Sequence, residues 1–259
     1  MQYTASELFL WFIIYSFIGW VYETVLCSIC QKTFVNRGFL NGPLCPIYGS
    51  GALIVILLLG DLQNQIVPLF LSGFVLTTVL EYLTSYCMEK LFHAKWWDYS
   101  SRRFNVNGRV CLLGSTVFGI MTVIIVKWVH PKIAALTGQI SINAQYWWSA
   151  ALAAVVLLDL FFTVKHILTM NGRLREIQNA MNEYKEQSRA RAEQLRESLN
   201  EKFENSKYHN ERIRQLLNMR KFQDRRLLKA FPHLKSISYN EALDKLKNRL
   251  KRRNKENNS

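Results

Sequence analysis

Five long apolar runs in the first two thirds of the chain constrain its fold more than any other feature. They lie at about residues 8–26, 44–60, 66–88, 109–129 and 146–168. A helix needs about 20 mostly apolar residues to cross the hydrocarbon core of a bilayer, so each run predicts a membrane span. We therefore expect an all-α, polytopic membrane protein with about five transmembrane helices.

The second run has an irregular start. Pro43, Pro46, Gly49 and Gly51 interrupt it, and the run is close to the lower length limit for a span. Irregular backbone at membrane depth is tolerated where protein covers it or where it lines a cavity. We therefore expect this segment to open as a bent or re-entrant stretch before its helix begins.

The composition changes near residue 170. Residues 1–170 contain ten Lys or Arg and seven Asp or Glu, whereas residues 171–259 contain 23 and 12. Gly172 is the one glycine of the second part. The sequence thus predicts a transmembrane domain over 1–170 and a basic, helical cytoplasmic tail over 171–259.

Loop charges predict the orientation, because the cytoplasmic loops of membrane proteins carry an excess of Lys and Arg. Residues 1–7 and the second loop, 61–65, have none, and the fourth loop has Lys132 alone. The first loop has Lys32 and Arg37. The third loop has four basic residues, Lys90, Lys95, Arg102 and Arg103. We expect a multi-pass protein of the cell membrane with its N-terminus outside and the first loop, third loop and tail in the cytoplasm.

The tail has apolar residues at helical spacing. Leu174, Ile177, Met181 and Tyr184 follow the 3-4-3 pattern of a coiled-coil seam, which resumes at the apolar residues Leu195, Leu199 and Phe203. This pattern predicts a long helix, capable of weak self-association, that ends before Pro232. Residues 240–253 predict a short basic helix, whose expected partner is an anionic lipid surface rather than nucleic acid.

Polar side chains gather toward one end of the predicted bundle. With the orientation above, ten of them fall toward the cytoplasmic half: Glu23, Asn41, Cys45, Tyr48, Glu81, Glu89, Asp98, Arg109, Asp159 and Lys165. Polar groups in a membrane usually face protein or a water-filled cavity. They predict either one cytoplasm-facing cavity for a solute or ion, or structural pairing of the acids with Arg109 and Lys165.

Motifs for other chemistries are missing from the sequence. It has no GxxxxGK[ST] loop, no HExxH and no GxSxG elbow, so we expect no cofactor and no metal. The five cysteines show no disulfide pattern, and we expect them to be reduced. Asp98 follows Trp96 and Trp97, where it could bind a substrate hydroxyl or act as a general base. Alternatively, the two tryptophans anchor the chain at the membrane interface.

Three stretches together resemble one family. GFLNGPLCPIYGSG (38–51), LEYLTSYCMEKLFHAKWWDYS (80–100) and FNVNGRVCL (104–112) are similar to the signatures of the bacterial putative ABC-transporter type IV (CmpB-type) family of integral membrane proteins. The resemblance spans about residues 8–165 and implies a multi-span, permease-like protein. Its polar signature falls on Glu23, Asn41, Cys45, Tyr48, Glu81, Glu89, Trp97, Asp98, Asn107 and Arg109.

Three functions remain open at the level of sequence. The first is a permease-like transporter component that works with a separate ATPase subunit or as a homo-oligomer, because five short spans are few for a transporter acting alone. The second is a membrane-embedded enzyme acting on a lipid or lipid-linked envelope precursor, with Arg109 holding a phosphate and Asp98 or Glu81 as base. The third is a non-catalytic scaffold that recruits partners through its tail.

Overall fold

The chain is helical almost throughout, with short strands in its loops. The computed structural model describes residues 3–194, 226–228, 230–231 and 233–256, with side chains as far as 188 in the long helix and 248 near the C-terminus. The helices are α1 (Ala5–Gln31), α2 (Pro46–Leu59), α3 (Ile66–Phe92), α4 (Leu112–Ile124), α5 (His130–Gly138), α6 (Ile142–Gln194) and α7 (Asn240–Glu256). The strands are β1 (Ala94–Lys95), β2 (Asn105–Val106), β3 (Val110–Cys111) and β4 (Lys235–Ser236).

Within the described residues, four helical segments are long and apolar enough to cross a membrane. They are Ala5–Gln31, Ile66–Phe92, Leu112–Gly138 and Ile142–Ser188, and a shorter apolar helix covers Pro46–Leu62. Each segment contains or overlaps one of the predicted spans. The expected all-α, polytopic membrane fold is therefore confirmed, with a shorter apolar helix in the place of the predicted second span.

The chain before α2 folds back along α1. The backbone N–H of Cys45 donates to the Ser16 carbonyl at 2.9 Å. Ser16 precedes the end of α1 by fifteen residues, or about 22 Å of helix. Residues 32–45, which we call the first loop, thus cover the C-terminal half of α1 as non-helical chain. Pro43 lies in this stretch, whereas Pro46, Gly49 and Gly51, which we expected to interrupt the second run, lie inside α2. Helix α2 begins at Pro46, directly after this non-helical stretch.

Small residues let the helices approach closely, as is usual between membrane helices. A Cβ on Gly49 of α2 would collide with the Ser16 hydroxyl and the Phe12 carbonyl of α1. A Cβ on Gly73 of α3 would collide with Thr122 of α4. These two contacts hold α1 against α2 and α3 against α4.

A π-helical turn, Ile125–Val129, joins α4 to α5. Its cause is Pro131, which has no N–H to donate and whose ring would clash with the carbonyl of Lys127 in a regular α-helix. The turn widens the helix and lets it continue, so that α4 and α5 form one apolar segment.

The chain divides into two compact units. The first comprises Met1–Leu91 and Trp96–Val164, and the second comprises Phe92–Lys95 and Lys165–Ser259. Helix α6 runs from one into the other, so the predicted boundary of the membrane domain at residue 170 stays a prediction.

In the second unit, the predicted seam of the tail is covered by the same chain. Leu174, Ile177 and Met181 are buried, as are Leu227, Leu234 and Leu243. The Ala242 N–H donates to Gln178 Oε1 at 3.3 Å, and Lys185 pairs with Glu241 at 2.7 Å. This part of the seam is therefore part of an intramolecular core. Its predicted continuation at Leu195, Leu199 and Phe203, and the break at Pro232, lie outside the described residues. Helix α7 confirms the predicted helix over 240–253.

Candidate functional site

Two loops of the first unit carry most of the predicted site residues. The first loop (32–45) lies along α1. Residues 96–111 come after α3 and β1, and from here on the name third loop refers to this range alone. Side chains from α1, α2, α3 and α6 meet these loops, and we refer to the charged and hydrogen-bonding groups gathered there as the polar layer. The contacts of each carboxylate in this layer decide what it is able to bind.

Polar side chains of α1 hold the first loop. The Ser28 hydroxyl accepts from the Val35 N–H at 3.0 Å, and the Trp20 indole N–H donates to Asn36 Oδ1 at 2.7 Å. Asn36 Oδ1 also accepts from the Gly38 N–H at 3.2 Å. Backbone groups that have no partner in a helix or sheet are satisfied in this way by side chains.

Asp159 of α6 clamps the same loop. Its Oδ1 accepts from the backbone N–H of Asn41 at 3.1 Å and from the Asn41 side-chain amide at 2.9 Å. Its Oδ2 accepts from the Gly42 N–H at 2.8 Å. The Thr163 hydroxyl, one turn later, lies 3.3 Å from Oδ1 and accepts from the Asn41 amide at 2.9 Å. Both oxygens of Asp159 are therefore occupied by the protein.

Glu23 of α1 is also paired. Its Oε1 accepts from the Tyr48 hydroxyl at 2.6 Å, and its Oε2 lies 3.5 Å from Nε of Arg37 in the first loop. The Cys27 thiol is 4.0 Å from the same Oε2. Glu23 thus links α1, α2 and the first loop, and the Arg37 guanidinium compensates its charge.

The third loop is built around Asp98 and Gly108. Asp98 Oδ1 accepts from the Ser100 N–H at 3.0 Å and from the Ser100 hydroxyl at 2.5 Å. Gly108 has a φ of 69°, and a Cβ there would collide with the Ser100 hydroxyl and lie 2.8 Å from Asp98 Oδ1. The Trp97 indole N–H donates to the Arg109 carbonyl at 2.9 Å. Trp97 and Asp98 therefore act in the folding of the loop itself.

Arg109 fastens the third loop to α3. Its Nη2 lies 2.7 Å from Glu89 Oε2, and its guanidinium stacks over the rings of Tyr82 and Tyr86. The Asn107 amide donates to the Tyr82 hydroxyl at 2.9 Å. Partial burial opposes the charge of Arg109, but the combined contributions of Glu89 and Tyr82 outweigh it, so the pKa of Arg109 lies above its ordinary value.

Glu81 differs from the other acids of the layer. Its side chain is 6% exposed, and its Oε2 has no hydrogen-bond partner among the described residues. It interacts with the Tyr99 phenol of the third loop and with the charge of Glu23. Burial raises the pKa of Tyr99, and the charge of Glu81 raises it further, so Tyr99 carries its proton at neutral pH. Glu81 is the acid that the protein leaves incompletely satisfied.

Comparison with known families decides the classification. The family model described as Putative ABC-transporter type IV matches residues 10–164, which is more than half of the 259 residues. The chain belongs to this family. No curated protein and no solved structure matches the chain. The predicted resemblance is confirmed. Because the chain belongs to this family and has long apolar helices, it is a transporter-like membrane protein.

The match covers every predicted site residue of this type IV protein except Lys165. The structure brings Glu23 together with Tyr48, and Asn41 together with Asp159. Arg109 pairs directly with Glu89, and the Tyr82 hydroxyl links Asn107 to Arg109. Cys45 is buried beside the first loop, with its thiol 3.8 Å from the Arg37 carbonyl. Lys165 belongs to the second unit, so its place in the site stays a prediction.

Several members of the polar layer were not among the predicted site residues. Arg37 entered the sequence analysis only as a loop charge, and Thr163, Tyr82 and Tyr99 did not enter it at all. Tyr82 and Tyr99 lie inside the stretch 80–100 that marks the type IV family. Thr163 follows Asp159 by one helical turn, a spacing that places two side chains on one face.

Two geometric features of the described part of the type IV chain concern multi-ligand metal sites and the cysteines. No group of three or more His, Cys, Asp or Glu side chains is arranged there to hold an ion. Cys27, Cys30, Cys45, Cys87 and Cys111 are free thiols.

Proposed function

We propose that the chain is the permease-like, membrane-embedded component of a transporter, whose solute or ion binds in the polar layer at Glu81. Membership of the type IV family and the apolar helices support the transport class. The observation that carries the site is the buried Glu81 carboxyl, one oxygen of which has no partner among the residues that the structure describes. A group that the protein leaves unsatisfied has binding capacity for something else.

The proposed orientation has the N-terminus outside and the polar layer open to the cytoplasm. The distribution of Lys and Arg among the loops supports it. The length of the second apolar helix is compatible with a fifth crossing. Its 14 α-helical residues give about 21 Å, and the three-residue 3₁₀ turn that follows adds about 6 Å. The hydrocarbon core is about 30 Å thick.

Transport requires partners in this proposal. The sequence has no phosphate-binding loop of the Walker type, so ATP hydrolysis belongs to a separate subunit, as the family's class also implies. A second copy of the chain would supply the remaining helices around the solute pathway.

The tail is proposed to contact anionic lipid. Helix α7 carries basic residues in excess of acidic ones, with Lys245 and Lys247 among those whose side chains are described. Juxtamembrane basic segments gain about 1 kcal/mol per Lys or Arg near an anionic leaflet. Binding of α7 to vesicles that contain phosphatidylserine, but not to neutral vesicles, tests this contact.

Chemistry on a lipid-linked precursor receives less support from the same contacts. The proposed phosphate ligand, Arg109, is bound to Glu89 and stacked on two tyrosines. Of the two proposed bases, Asp98 accepts two hydrogen bonds within its own loop. Arg109 and Asp98 therefore lack the freedom that a reacting residue needs, and Glu81, the other proposed base, has the open oxygen on which the transport proposal also rests.

Solute flux in membrane vesicles tests the proposal. Inside-out and right-side-out vesicles are prepared from the native host, which supplies the partner subunits, with the wild-type chain, Glu81→Gln, Asp61→Asn or no chain. They are given a mixture of cellular solutes and ATP on both sides of the membrane, and the accumulated compounds are identified by mass spectrometry. Asp61 is exposed and serves as the matched control. We expect at least one flux that requires the chain and Glu81 but not Asp61. Equal accumulation in all four preparations, with intact protein, would refute the transport function.

A further inference from the structure

The four acids that helices contribute to the polar layer differ in how their charges are compensated. Glu23 faces Arg37 and Tyr48, and Glu89 faces Arg109. Asp159 accepts hydrogen bonds from the first loop through both oxygens. Glu81 is more than nine-tenths buried, and its Oε2 is unpartnered among the described residues.

Among the described residues, the surroundings of Glu81 contain another acid and no basic group that interacts with its carboxyl. Two titratable groups interact with its carboxyl: the Tyr99 phenol of the third loop, through a hydrogen bond, and the Glu23 carboxylate of α1, through its charge. Tyr99 itself is affected by Glu81, Cys111 and Glu23. The charge of Glu23 is compensated by Arg37, whose Nε lies 3.5 Å from Glu23 Oε2. An ionised Glu81 would therefore leave one negative charge uncompensated in this cluster.

A buried carboxylate without a counter-charge is costly, because it loses its hydration and gains no opposite charge in return. Two states avoid that cost. In one, the carboxyl carries a proton. In the other, a cation lies against Oε2. Oxygen atoms of a carboxylate and a phenol are the ligands that hard cations prefer, and Tyr99 supplies the phenol beside Glu81.

We infer that Glu81 exchanges one proton for one monovalent cation, which makes this cation a transported or coupling ion of the proposed permease. The inference rests on the proposed transport function. The exchange balances, since one proton leaves the carboxyl for solvent when one cation binds to the carboxylate. A single positive charge completes neutrality because Arg37 already compensates Glu23, so a divalent ion would leave an excess of positive charge.

Proton release from the purified full-length chain tests this exchange without a partner subunit. The protein in detergent is placed in weakly buffered solution with a pH-sensitive dye, and NaCl, KCl or N-methylglucamine chloride is added at equal ionic strength. We expect release approaching one proton per chain with Na⁺ or K⁺ but not with N-methylglucamine. Release should be absent in Glu81→Gln and unchanged in Asp61→Asn.

A second variant keeps the test valid if Glu81→Gln folds poorly. Tyr99→Phe removes a hydrogen-bonding group beside Glu81 and should raise the cation concentration at half release about tenfold, the equivalent of one ordinary hydrogen bond. Absence of release from the wild type, or unchanged release in both variants, would overturn the exchange.

The proton-release assay and the vesicle flux assay together distinguish failure of the ion exchange from failure of the transport function. Release that requires Glu81, combined with vesicle fluxes that are independent of the chain, would uphold the ion site and refute the permease. Chain-dependent flux without release would refute the exchange and leave the permease standing.

Discussion

Asp159 and Glu81 are both acids in apolar helices, yet their surroundings differ. Asp159 binds the first loop through two backbone N–H groups and one side-chain amide, with Thr163 beside it. Glu81 is more deeply buried, but one of its oxygens has no donor within the described part of the chain, and a second acid interacts with it. An acid in a membrane helix is therefore structural when hydrogen-bond donors of the protein occupy both of its oxygens. It is an open site when one oxygen stays without a donor.

The two loops show the same contrast. The first loop is fixed along α1 by Ser28, Asn36 and Asp159. The third loop is fixed to α3 through Arg109, while its Tyr99 extends to the open acid. One loop serves to complete the bundle, and the other brings a polar group to a position where a ligand is able to bind.

Asp159→Asn should give the largest effect. The amide keeps the size of the side chain, but its NH₂ group replaces an acceptor and faces backbone N–H donors of the first loop. Leaving such donors unsatisfied costs about 2–3 kcal/mol in stability. Thermal unfolding in detergent should show a clear fall in Tm, and trypsin should cleave faster after Arg37. Asp61→Asn, on an exposed residue, should match the wild type.

Arg109→Lys should have an intermediate effect. Lysine keeps the charge toward Glu89 but loses the planar fork and the stacking on Tyr82 and Tyr86. We expect a loss of about 1–2 kcal/mol, measured by thermal unfolding. Arg102→Lys is the matched control, because Arg102 is exposed in the same loop. Equal losses in the two variants would mean that Arg109 has no special anchoring role.

Glu241→Gln should have a slight, pH-dependent effect in the second unit. The hydrogen bond from Lys185 lowers the pKa of Glu241 below its ordinary value of about 4.3. A lowered pKa means that the pair stabilises the fold above that ordinary value and that this contribution disappears as the pH falls through the folded pKa. The wild type and the variant should therefore converge in acid when unfolding is followed against pH. A gap that widens in acid would contradict the sign.

Much of the fold was predictable from the sequence. Long apolar runs have few alternatives to membrane helices, and Pro43 and Pro46 indicated the irregular entry to α2. The partners were not predictable, because they depend on the path of the loops. Asn41 and Asp159 are 118 residues apart and meet only because the first loop descends along α1.

Periodicity indicated which residues share a face without indicating what covers them. Glu81 and Glu89 lie on one face of α3, but one interacts with Tyr99 and the other with Arg109. Likewise, Leu174, Ile177 and Met181 form the predicted stripe of the tail, and residues of the same chain share their core. The spacing of residues indicates which side chains share one face of a helix, whereas their partners depend on how the other elements of the chain pack against that face.

The most direct test of the account is the unfolding of Glu81→Gln beside Asp159→Asn, in one detergent at neutral pH. The same exchange of acid for amide is made at both positions. We predict that Glu81→Gln leaves stability within about 0.5 kcal/mol of the wild type or raises it, since a neutral amide replaces a buried carboxyl whose ionised form has no counter-charge, whereas Asp159→Asn lowers it. Equal losses at the two positions would show that Glu81 is also a structural clamp and would contradict the open site.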